Sequence, residues 1–143
     1  MSHDEGITVP DWNAQIIDEF RANDGKVGGM FAGAPLLLLH STGARSGKDR
    51  LNPLMYQAIE GGYAVFASKA GAPSNPDWFY NVVANAEVAA EIGSDKINLT
   101  ARVASSDERE PIWAKQKATY PTFADYEAAA EGREIPVVIL ESR

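Results

Sequence analysis

Apolar residues fall in two rhythms along the chain. Trp12, Ile16, Ile17 and Phe20 recur at helical spacing behind Asp11, which predicts a helix with Asp11 as N-cap that ends near Gly25. Residues 36–39 are four consecutive leucines after Pro35, the pattern of a strand buried on both faces. Residues 54–59 and 63–68 read as two further strands joined through a tight turn at Glu60, Gly61 and Gly62. Gly, Pro, Asn and Ser crowd residues 69–76 and predict a loop. A helix carrying Trp78, Phe79, Asn81 and Val82 follows, capped by Asn75 or Asp77. Strands over 87–92 and 96–103 meet at Gly93, Ser94 and Asp95. Ser105 with Glu108 forms a capping-box signature for a helix running through Ile112, Trp113 and Ala118. After a break at Tyr120 and Pro121, a short helical piece carries Phe123, Tyr126 and Ala130, and residues 135–140 read as a last strand whose Pro136 favours an early or edge position.

Strands joined by three-residue turns are hairpin partners, whereas a doubly wound sheet needs a helix between successive strands. The fold class expected is therefore α+β, a small antiparallel barrel with peripheral helices. Residues 1–30 read as an acidic tail with an amphipathic helix, and residues 31–143 as one domain.

Composition narrows the chemistry. With 143 residues and no cysteine, the chain cannot use a disulfide framework, a thiolate nucleophile or a Cys-ligated cluster. A net charge of -7 and a pI near 4.8 argue against general nucleic-acid binding. Neither the acidic N-terminus nor any apolar run suits a secretory signal or a membrane span, so a cytoplasmic protein is expected. The stripe with Trp12 and Phe20 reads first as core packing, with weak peripheral membrane contact as the other reading.

Against this acidic background the stretch from His40 to Met55 stands out, because Arg45, Lys48 and Arg50 cluster around Gly43 and Gly47. Two glycines four apart permit left-handed turns, and the intervening backbone N–H groups could converge on an oxyanion. The competing reading is a solvated hairpin. A phosphate-binding P-loop fails on spacing and on the missing helix, and no Gly-x-Ser-x-Gly elbow surrounds Ser46. His3 and His40 lack any metal-ligand spacing, so no metal is expected. A basic loop, a second loop with Ser68 and Lys69, and several aromatics without a nucleophile or base suggest a borrowed cofactor.

The run from Leu36 through Ser41, Thr42, Gly43, Ala44, Arg45, Ser46, Gly47 and Lys48 to Asn52, Pro53 and Leu54 resembles the deazaflavin-dependent nitroreductase family of actinobacteria. The run from Ala67 through Asn75, Pro76, Asp77 and Trp78 to Asn81, and the aromatic segment with Tyr120, Phe123 and Tyr126, resemble the same family. The resemblance implies an FMN-binding split-barrel-like fold. It also implies reduced 8-hydroxy-5-deazaflavin, coenzyme F-420, as hydride donor to quinones, activated alkenes or nitroaromatic compounds. Three walls of a cofactor site are implied. Ala44, Arg45, Ser46, Lys48 and Arg50 with Asn52, Pro53, Leu54 and Met55 form the first. Phe66, Ala67, Ser68 and Lys69 form the second, and Asp77, Trp78 and Asn81 the third. Ser68 would hydrogen-bond a developing oxyanion, and Tyr120 and Tyr126 would enclose the acceptor or relay a proton. Met55 stands where the best-known relative has a tyrosine against the cofactor, and Phe123 replaces the middle tyrosine of the aromatic segment, which bears on substrate preference. An FMN-dependent oxidoreductase of the same architecture and a non-catalytic deazaflavin carrier are the alternatives.

Overall fold

A computed structural model describes residues 7–8, 11–27, 35–71, 74–130 and 132–142. Its centre is the strand built from the leucine run, β2 (Leu36–Thr42), which pairs on one side with β3 (Asp49–Ile59) and on the other with β5 (Glu87–Ile92). From β5 the sheet continues through β6 (Asp95–Val103) and β7 (Val137–Ser142) to β4 (Gly62–Phe66), and β4 pairs back onto β3. The result is a closed six-stranded antiparallel barrel, with a short β1 (Ile7–Thr8) added in parallel at the start of β3. Four α-helices pack around it among the described residues: α1 (Asp11–Ala22), α2 (Asp77–Ala84), α3 (Ser106–Thr119) and α4 (Thr122–Ala129).

The four leucines divide between two cores, as side chains on a strand must alternate. Leu37 and Leu39 enter the barrel interior with Val65, Val88, Leu99, Val138 and Leu140, where Trp78 and Val82 of α2 also insert. Leu36 and Leu38 face outward and are covered by Ile17 and Phe20 of α1. A third cluster lies under α3 and α4, where Phe66, Ile135 and Val137 meet Trp113 and Phe123. Phe20 is fully buried, so the apolar stripe of α1 is spent on the barrel; the side chains of Asp11 and Trp12 lie outside the described residues.

Two boundaries differ from the sequence reading. The second strand runs on through His40 to Thr42, and the third begins at Asp49 rather than Leu54, so Arg50, Asn52 and Pro53 are strand residues and not loop. Pro53 is tolerated because of register. The Tyr56 N–H donates to Pro35 O (3.0 Å), which turns the even-numbered residues of β3 toward β2 and places the missing donor of Pro53 on the opposite edge. Among the described residues that edge has no partner over 51–55: β4 pairs from Tyr56 to Ile59 and β1 at Asp49 and Arg50. Among these residues the barrel is therefore split along 51–55. Pro136 likewise lies just before β7, which is an interior strand between β6 and β4 and not an edge.

The caps divide in the same way. Ser105 and Glu108 form the expected capping box on α3, while α2 starts behind Pro76 with no side-chain cap bond. Asn75 has another task, described below.

A polar tie holds α1 to the barrel. Arg21 of α1 donates to both carboxylate oxygens of Glu91 on β5 (3.1 and 2.6 Å), and His40 Nε2 lies 2.6 Å from Glu91 Oε2. The Arg21 hydrogen bonds, and then that of His40, hold the Glu91 carboxyl below its ordinary pKa of 4.5 against a desolvation effect of opposite sign. A depressed carboxyl contributes stability above its unfolded pKa and loses it as pH falls through the folded value. Glu91→Gln is expected to lower stability at pH 7 by about 1 kcal/mol, discounted for the half-exposed Arg21. Urea unfolding of both proteins at pH 7 and pH 3 checks this, with the difference shrinking at the lower pH.

Candidate cofactor site

The connection between β2 and β3 is a tight turn over residues 43–48. The Gly43 N–H donates to Lys48 O (2.8 Å) and the Gly47 N–H to Gly43 O (3.0 Å), with Gly47 at φ +70°. The Lys48 N–H donates to Ser46 Oγ (3.2 Å). Gly43 leaves Ser46 its place, since a Cβ there would lie 2.7 Å from Ser46 Oγ and displace that hydroxyl. The Ala44 N–H donates to the buried Asn81 Oδ1 on α2 (2.9 Å), which docks the turn on the helix.

These bonds revise the expected backbone cradle. Four of the amides over residues 43–48 are consumed inside the protein, leaving those of Arg45 and Ser46 without a partner among the described residues. An anion here would be held by two amides and by side chains: the exposed Arg45, the Ser46 hydroxyl, and Arg50, whose Nη2 donates to Ser46 Oγ (3.2 Å).

Between this turn and α2 lies a cavity of about 790 Å³. Ala44, Arg45 and Ser46 form one side of it, Arg50 and Asn52 of β3 continue that wall, and Asp77, Trp78 and Asn81 of α2 face them. All eight were expected at the site. Gly43, part of the expected cradle, also lines it, and so does Tyr80, which was not named for the site. Tyr80 is an exposed aromatic set edge-on to Phe79 (5.6 Å between centroids), and its only sequence signal was its place one residue before Asn81.

The other expected site residues lie outside the cavity lining. Lys48 is exposed in the turn. Pro53 is on the open edge of β3, Leu54 packs against the barrel interior, and Met55 bridges the two outer clusters. Ala67 is buried in the interior, and Phe66 packs against Trp113 and Phe123 under α3 and α4. Tyr120 and Tyr126 border that same outer cluster, with Tyr126 edge-on to Phe123 (5.4 Å).

Ser68 and Lys69 enter a 3-10 turn (Lys69–Gly71) against α4, where a Cβ on Gly71 would lie 2.8 Å from Tyr126 O. Lys69 has φ +48°, a left-handed conformation that costs a non-glycine residue of order 1 kcal/mol. Arg133 holds this turn in place. Its guanidinium donates to Ala67 O (3.1 Å), Ser68 O (2.8 Å) and Asn75 Oδ1. No local pattern announces such a clamp across some sixty residues. Arg133→Ala is expected to cost about 2 kcal/mol, because Ala67 O and Asn75 Oδ1 lose a charged donor in a half-buried site, while Ser68 O keeps the Gly71 N–H (2.9 Å). Arg133→Lys, which lacks the planar fork, is expected to recover less than half in thermal unfolding.

The donor set fits an anionic, phosphodiester-bearing coenzyme. Two guanidinium groups, a hydroxyl and two open amides on one wall outnumber the single carboxylate, Asp77, that stands with an indole, a phenol and an amide on the other, and a drug-sized ligand fills a cavity of this volume. Among the described residues no cluster of His, Asp and Glu could hold a metal ion, and no helix is long and apolar enough to cross a membrane.

Comparison with known proteins agrees with the site. A protein of Mycobacterium tuberculosis strain H37Rv, named provisionally as an F420H(2)-dependent quinone reductase, is 38% identical over 109 residues, covering 76% of this chain and 91% of its own. A second from that strain, named as an F420H(2)-dependent quinone reductase, is 32% identical over 130 residues, covering 87% and 85%. A solved F420-H2 dependent reductase, FDR-A, superposes with a TM-score of 0.68 at 42% identity, over 75% of this chain and 94% of that one. The family model described as F420H(2)-dependent quinone reductase matches residues 12–142. The chain thus belongs to the F420H(2)-dependent quinone reductase family, oxidoreductases whose cofactor is the reduced deazaflavin F-420 and whose acceptor is a quinone.

Proposed function

We propose that the cavity between the 43–48 turn and α2 is where this reductase holds its coenzyme, and that the acceptor enters along the split in the barrel, between the open edge of β3 and the Ser68 turn. The observation that carries the reading is that Arg45 and Arg50 line the same cavity as Asn52 of β3 and Trp78 and Asn81 of α2. When bound, the reduced deazaflavin supplies the hydride. The protein's part is positioning: Arg45, Arg50 and Ser46 neutralise and fix the phosphodiester, while Asn52, Trp78 and Asn81 bound the slot beside it.

Ser68 is fixed through its carbonyl by Arg133, which leaves its hydroxyl to donate to the acceptor oxygen that becomes negative as reduction proceeds. Tyr126, packed on Phe123 beside the same turn, and Tyr120 wall the acceptor and supply its proton. Met55, half-buried on β3, puts an apolar group where the resemblance places a phenol, and Phe123, buried behind Tyr126, offers no hydroxyl, so acceptors are gripped by packing more than by hydrogen bonds, and activated alkenes and nitroaromatic compounds are taken as well as quinones. Residues 1–30 act as an appended tail and helix, and residues 31–143 as the coenzyme-binding domain.

Fluorescence titration with F-420 and with FMN, followed by addition of menadione, an enone or a nitroaromatic compound to the reduced complex, tests the reading. Tight binding of F-420 with oxidation by all three acceptors is expected. Binding without any oxidation would make the chain a carrier.

A further inference from the structure

Ser41 sits where the barrel interior runs into the cavity. It continues the inward face of Leu37 and Leu39 along β2, and the next residue on that face, Gly43, lines the cavity. Across the ladder it pairs with Arg50, and its neighbour Leu39 pairs with Asn52; both partners line the cavity. Ser41 thus adjoins residues of the site along β2, at Gly43, and across the ladder, at Arg50. It is 4% exposed, and Oγ has no hydrogen-bond partner among the described residues.

A buried hydroxyl without a partner is costly, and the positions before it on this face show that an apolar side chain would serve the core. The one other such atom among the described residues, Gln116 Nε2, belongs to an amide whose oxygen already accepts from Gln57 (3.2 Å) under α3, remote from the cavity. Ser41 has no such engagement. Its position opposite Arg50 assigns it to the anionic end of the site.

We propose that Ser41 is a further coenzyme-binding residue, whose hydroxyl donates to a phosphodiester oxygen drawn in by Arg50. The proposal rests on the cavity being the coenzyme site. The guanidinium that now bonds Ser46 Oγ re-seats on the anion, and the buried hydroxyl gains the acceptor that the free protein does not offer it. A donor already ordered by the strand costs little entropy to engage.

The full chain and Ser41→Ala would be compared by thermal unfolding without ligand, and by fluorescence titration with F-420 and with its phosphate-free deazaflavin-ribityl fragment. Loss of a hydroxyl that has no partner should leave the melting temperature of the free protein equal or raised. The Kd for F-420 should rise roughly tenfold, the loss of one hydrogen bond to a charged group, while the Kd for the fragment stays the same. An unchanged Kd for F-420, an equal weakening of the fragment, or a fall of several degrees in the free protein would each overturn the proposal. Arg50→Ala separates the two levels. If it too leaves F-420 affinity intact, the cavity reading itself fails, whereas weakened binding in Arg50→Ala with intact binding in Ser41→Ala overturns only the role of Ser41.

Discussion

Trp78→Ala is expected to cost about 3 to 5 kcal/mol of folding stability, the range for removing a large buried aromatic, and to abolish measurable coenzyme binding in whatever fraction stays folded. Trp78 is 5% exposed and works in two places. Its ring inserts into the barrel interior beside Leu37, Val65 and Leu99, and its outer side lines the cavity. The helix that carries it has eight residues and no side-chain cap, too short to persist on its own propensity. It stays in place through Trp78 and Val82 beneath it and through Asn81, which accepts the Ala44 N–H. Without the indole, α2 loses its main anchor and the turn bearing Arg45 and Ser46 loses its docking surface. Urea unfolding and F-420 titration should therefore fall together. Trp78→Phe, which keeps an aromatic anchor, should restore more of the stability than of the affinity, because the smaller ring fills the core better than it reaches the cavity.

The parts of the fold governed by local rules were legible in the sequence. The leucine run, the Glu60-Gly61 hairpin and the Ser105 capping box each satisfy one dominant requirement: burial on both faces, a left-handed turn residue, and unpaired helix N–H groups. The misreadings concentrate where the site is. Asp49, Arg50, Asn52 and Pro53 are poor strand formers and read as loop, yet they extend β3 because β2 supplies partners for all four on one edge and β1 pairs Asp49 and Arg50 on the other. The polarity of Arg50 and Asn52 serves the cavity, not the strand. The backbone cradle is narrowed to the amides of Arg45 and Ser46 because the turn's own bonds take three others and Asn81, 37 residues away, takes the Ala44 N–H, a partner of which the spacing of Gly43 and Gly47 carries no trace. Conflicts between local preference and final structure mark the residues recruited to the site.

Those recruited strand residues make Arg50 the natural test of the anion grip. Arg50→Ala is expected to weaken F-420 binding by about 1.5 to 3 kcal/mol, the range for a hydrogen bond to a charged group, which is roughly ten- to a hundredfold in Kd. Arg50 differs from its basic neighbours in how it is held. Arg45 is exposed on the turn and Lys48 stays outside the cavity lining, whereas Arg50 is half-buried on β3, with its guanidinium already turned toward Ser46. A strand-borne cation loses little freedom on binding, so more of its attraction survives as affinity. Lys48→Ala should therefore change Kd less than threefold, through long-range charge alone, and that small effect should vanish near 0.5 M salt while most of the Arg50 effect persists. Arg50→Lys should recover only part of the affinity, since a point charge cannot bridge two phosphate oxygens as a guanidinium does. In the free protein the Arg50 contact with Ser46 is exposed, and its loss should move the unfolding midpoint very little. Large loss of affinity with near-native stability is the signature of a residue kept for its ligand; equal losses of both would return Arg50 to the structural side.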